Sequence, residues 1–68
     1  MQRIEEVEVT VGEVTKKFQV ECNDPKPIRG NRFKFAVRAK KGGVWKFLAF
    51  IQQISFEKAA EQAFHIHY

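Results

Sequence analysis

Trp45 and Phe47 stand among Lys34, Arg38, Lys40, Lys41 and Lys46, with Arg29 and Arg32 just upstream. Cationic side chains follow a phosphate backbone while flat rings stack on unpaired bases, each stacked base being worth about 1–3 kcal/mol. The chemistry on offer is non-covalent recognition of single-stranded DNA or RNA. The same residues also suit an ordinary amphipathic sheet on a basic protein, because cation–ring pairs between strands are stabilising without any ligand. They would equally present an aromatic surface to an acidic protein partner.

Other chemistry finds little support. The chain has no glycine-rich phosphate loop, nucleophile elbow, zinc-protease helix or CxxC pair. Cys22 with His65 or His67 would make a nucleophile and base only if the fold brought them together. A zinc shell needs about four ligands, and Cys22, His65 and His67 are too few to supply it. No catalytic residue, metal site or cofactor is expected.

The net charge of +4 conceals a division along the chain. Residues 26–54 contain eight bases and no acid, whereas the remainder sets four bases against all eight acids. A separation of this kind produces a directed field that draws an anionic partner to the basic side and favours head-to-tail self-association. With 68 residues, a single small domain is expected, near the size at which oligomerisation often supplements the core. A homodimer is therefore one expected partner state. The lone Cys22 excludes an intramolecular disulfide and fits a reducing compartment. The opening Met1-Gln2-Arg3-Ile4-Glu5-Glu6 lacks the apolar core of a signal peptide, and no apolar run approaches a membrane span. A soluble, cytoplasmic protein without a membrane partner is expected.

The elements that must position the basic and aromatic residues are legible from periodicity. Val7, Val9 and Val11 alternate with Glu6, Glu8 and Thr10, predicting a first strand over residues 4–11. After Gly12-Glu13, Phe18, Val20 and Cys22 alternate with Lys17, Gln19 and Glu21, predicting a second strand over 15–22 and an antiparallel hairpin that brings Glu6 and Glu8 near Lys17. Pro25 and Pro27 end that strand and open a loop of about nine residues through Asn31.

A third strand over 32–40 and a fourth over 44–54 meet at Gly42-Gly43, a hairpin turn that needs positive φ. With a two-residue turn and strict alternation, Phe33, Phe35 and Val37 share the core face with Leu48 and Phe50. The other face then carries Lys34, Arg38 and Lys40 beside Trp45, Phe47 and Ile51, and an odd-length turn would exchange the two faces. Ser55 is placed to cap a helix from Phe56. Its apolar stripe is Phe56, Ala59, Ala60, Ala63 and Phe64. His65-Ile66-His67-Tyr68 reads either as a further helical turn or as an extended tail.

The expected fold is α+β, a four-stranded antiparallel sheet made of two hairpins with one C-terminal helix packed on one face. The expected function is a small non-catalytic nucleic-acid-binding module, probing single-stranded DNA or RNA with Arg29, Arg32, Lys34, Arg38, Lys40, Lys41, Trp45, Lys46 and Phe47. The alternative is a protein-interaction module, a small inhibitor or adaptor that uses the same aromatic face or an edge strand.

Overall fold

Alternating apolar residues need a partner layer, and here the C-terminal helix supplies it. The computed structural model describes residues 3–24 and 26–68. Met1, Gln2 and Pro25 lie outside the described residues, and with Pro25 the strand-ending role expected of it. The elements are β1 (Arg3–Val11), β2 (Val14–Cys22), β3 (Phe33–Lys41), β4 (Val44–Gln53) and α1 (Phe56–His67). All neighbouring strands pair antiparallel, in the order β1-β2-β3-β4. The sheet is thus a meander with β1 and β4 at its edges. Among the described residues no helix is long and apolar enough to cross a membrane.

The core lies between one sheet face and α1. Phe18, Val20, Phe35 and Val37 are fully buried on the strands, with Val9, Cys22, Ala39 and Ile51 around them. Ala59, Ala60 and Ala63 have no exposed surface, since a methyl side chain lets the helix axis approach the sheet closely. Phe56 and Phe64 fill the two ends of the contact, and Phe56 meets Phe35 edge-on with ring centroids 5.0 Å apart. Ser55 caps the helix as its position implies, its Oγ accepting from the Lys58 amide at 3.2 Å. The last residues continue the helix to His67, and the Tyr68 amide closes it by donating to the Phe64 carbonyl.

Gly42 and Gly43 both adopt positive φ, 58° and 79°. They form the two-residue turn that pairs Lys41 with Val44. From that turn the ladder runs Lys40↔Trp45 and Arg38↔Phe47, but the next pair is Val37↔Ala49. Leu48 is therefore an extra residue on β4, a β-bulge that shifts the alternation by one.

This bulge corrects the expected faces. Phe50 was expected in the core and is instead 61% exposed on the open face; Ile51 was expected outside and is 3% exposed in the core. Leu48 keeps its expected contact with the core, now beside Ala49. The physical reason is that Phe47-Leu48-Ala49-Phe50 is apolar throughout, so no polar alternation in the segment itself marks the change of phase.

The two faces of β4 should therefore differ sharply in substitution. Ile51→Ala is expected to cost about 2–5 kcal/mol in urea unfolding, the usual cost of a buried large-to-small change. Phe50→Ala should cost about 1 kcal/mol or less, since it loses surface contacts only.

Candidate functional site

The sheet face away from α1 is uncovered, and its residues follow from the register. β1 contributes Ile4, Glu6, Glu8 and Thr10, and β2 contributes Thr15, Lys17, Gln19 and Glu21. β3 contributes Lys34, Ala36, Arg38 and Lys40, and β4 contributes Trp45, Phe47, Phe50 and Gln52. One half of this face thus gathers carboxylates and the other half gathers cations and rings. A polyanion laid on it would be confined to β3 and β4 by the acids of β1 and β2.

The rings form a row along the edge strand. Phe47 is 52% exposed and Trp45 is half-buried. The bulge turns Phe50 toward Phe47, their rings meeting edge-on with centroids 5.0 Å apart. Each ring has a cation across the strand pair. Lys40 Nζ lies 5.6 Å from the Trp45 ring and Lys34 Nζ lies 4.5 Å from the Phe50 ring. Arg38 is paired directly opposite Phe47.

Arg38 is anchored between the two halves. Its Nη1 donates to Glu21 Oε1 at 2.9 Å and to Gln19 Oε1 at 3.4 Å. The pair is partly buried, with side-chain exposures of 30% for Arg38 and 12% for Glu21. Water screens it less than a surface pair, so it fixes the guanidinium beside the ring row.

The fold brings together Lys34, Arg38, Lys40, Trp45 and Phe47 from the residues expected to act. It does not bring all of them there. Lys46 is paired with Ala39 and Lys41 lies two residues beyond it on β3, so both point to the helix side, where they are exposed near the Gly42-Gly43 turn. Arg29 and Arg32 bridge one another around Gly30 in the β2–β3 loop, with the Arg32 amide donating to the Arg29 carbonyl at 3.0 Å. About 24 Å of strand separates that loop from Lys40. Phe50 is the member of the row that alternation alone could not find, and its signal was only the unbroken apolar run.

A cleft of roughly 570 Å³ opens on the helix side, between the start of α1 and the strand ends, lined among others by Arg3, Glu5, Cys22, Asp24, Ser55 and Phe56. Arg3 spans it, donating to Glu5 at 2.8 Å and lying 5.0 Å from the Phe56 ring. Cys22 is buried beside it and its thiol donates to the Asp24 carbonyl at 3.8 Å. His65 lies about 14 Å further along the helix from Phe56, so the possible pair of Cys22 with a histidine is not assembled. His65 and His67 are two residues apart on α1 and so point in different directions. No cluster of metal-binding side chains occurs among the described residues.

Replacing Arg38 with Ala should lower stability by about 1–3 kcal/mol in urea unfolding, because it strips Glu21 of a charge-assisted partner. The chain matches no family model, and no curated protein and no solved structure is detectably similar to it.

Proposed function

We propose that this protein is a small non-catalytic module that binds single-stranded nucleic acid along the β3–β4 half of its open sheet face. The observation that carries this reading is the row of Trp45, Phe47 and Phe50, left uncovered by the helix and flanked by Lys40, Arg38 and Lys34 on the neighbouring strand. Bases stacking on the row would leave their phosphates within reach of those cations, the arrangement that sequence-tolerant single-strand binding requires. Nothing in the row offers a matched set of donors and acceptors for base edges, so binding independent of sequence is the form proposed. DNA and RNA are equally served.

A second reading takes the same rings as a docking surface for an acidic protein or a second copy of the chain. The observation favouring it is that β4 is an edge strand with exposed Val44, Phe47 and Phe50. An edge of this kind can add a partner strand. Against it stands the bulge at Leu48, because bulges interrupt the regular edge that strand addition uses.

Fluorescence anisotropy of labelled single-stranded DNA and RNA, titrated at about 50 and 200 mM salt, tests the first reading, since phosphate contacts weaken steeply between the two. Binding should vanish in Arg38→Glu with Lys40→Glu. It should lose about 1–3 kcal/mol per removed ring in Phe47→Ala and Phe50→Ala. Absence of binding at the lower salt, together with a sedimenting dimer dispersed by Phe47→Ala, would replace it with the second reading.

A further inference from the structure

The cleft of roughly 570 Å³ beside the start of α1 takes no part in the ring row, which lies on the other face of the sheet. Its size is that of a small-molecule site. The lining combines aromatic rings with an excess of negative charge, since Phe33, Phe35 and Phe56 wall it while Glu5, Asp24 and Glu57 stand against the single guanidinium of Arg3. Aromatic faces draw cations, as carboxylates do. The positive end of the helix is offset by Glu57, which sits in the first turn of α1.

One side of the cleft already shows how a cation is held there. The Arg3 guanidinium lies 5.0 Å from the centroid of the Phe56 ring and donates to Glu5 at 2.8 Å. Register sets Arg3 against Cys22 and Cys22 against Phe35, so β3 forms the side of the cleft away from Arg3. That side repeats the ring and the carboxylate without the cation. Phe33 is half-buried there, and Asp24 accepts from the Lys34 amide at 3.3 Å, a neutral donor that orients the carboxylate and leaves its charge in place. Among the described residues the cation–ring contacts fall on Phe56, Tyr68, Phe50 and Trp45 and none on Phe33. Neither Asp24 nor Glu57 is in an ion pair among those residues.

We propose that this cleft binds an organic monocation, a guanidinium or alkylammonium group held by Phe33 and Asp24 with its alkyl stem against the buried rings. Arg3 is then a like charge beside the ligand and holds Glu5 away from it. The proposal goes beyond the nucleic-acid reading and does not rest on it, because the two sites lie on opposite faces of the sheet. The same chemistry is carried by free amines and guanidines and by a basic side chain of a peptide.

The test titrates the nitrogen-15-labelled full chain with n-butylguanidinium and n-butylammonium, and with n-butanoate as the control of opposite charge, up to about 50 mM, which covers the weakest binding expected of so few atoms. The site requires that the cations move the amides of residues 24, 33–35 and 54–57 while those of residues 45–50 stay still. Asp24→Asn should weaken binding about two- to fivefold, the worth of one exposed charge pair. Arg3→Gln should tighten it at least about twofold, since a like charge leaves and Glu5 is released. Tightening cannot come from unfolding, so this variant keeps the test decisive even if Asp24→Asn is unstable. With the site upheld, a blocked glycyl-arginyl-glycine peptide that binds more tightly than n-butylguanidinium would assign it to a protein side chain, and one that binds no better would assign it to free amines and guanidines. Unmoved cleft amides, equal shifts from n-butanoate, shifts spread over the whole chain, or loss of binding in Arg3→Gln would each overturn the site. None of these results alters the anisotropy test of the open face, whose failure would in turn leave the cleft standing.

Discussion

An extra residue at Leu48 lets β4 serve two faces that strict alternation would set against each other. Below the bulge, Trp45 and Phe47 stand on the open face; above it, Ile51 enters the core. A straight strand with Trp45 and Phe47 outside would also put Ile51 outside and bury Phe50. The bulge removes that conflict by placing Leu48 and Ala49 in succession toward the helix. The core and the candidate site are for this reason not independent features. Both depend on where one strand changes phase, and bulges are the device by which edge strands re-aim side chains.

Charge organises the remainder of the open face. The acids concentrate on β1 and the cations on β3, with Arg38 and Glu21 joined where the two halves meet. That ion pair is partly buried and doubly hydrogen-bonded through Gln19, so it positions the guanidinium as well as neutralising it. The result is a surface whose attraction for anions is local to one half, although the net charge of the chain is only +4.

Much of the architecture was legible in particular residues. Val7 and Val9 against Glu6 and Glu8 specified the buried side of β1, and Phe18, Val20 and Cys22 did so for β2. Gly42-Gly43 located the hairpin turn, and Ser55 with the Phe56, Ala59, Ala60, Ala63 and Phe64 stripe located the helix and its inner face. These signals are local: a turn needing positive φ, an unpaired helix amide needing a cap, a period matched to one covered surface. The placement of Phe50 and Ile51 failed because residues 47–51 are uniformly apolar, and period-2 reasoning has nothing to count there.

Taken alone, the sequence determined the element order and the segregation of charge along the chain, because each is a property of neighbouring residues. Tertiary structure alone decided which cations share a surface. It put Lys34, Arg38 and Lys40 with the rings, turned Lys41 and Lys46 to the helix side, and carried Arg29 and Arg32 to the other end of the sheet. It also set Phe18 beside Ala39 where the two hairpins join, residues separated by more than twenty positions in the chain. Strand register governs such meetings, and register is set by the bulge, the turn and the helix together, none of which a linear pattern of charge records.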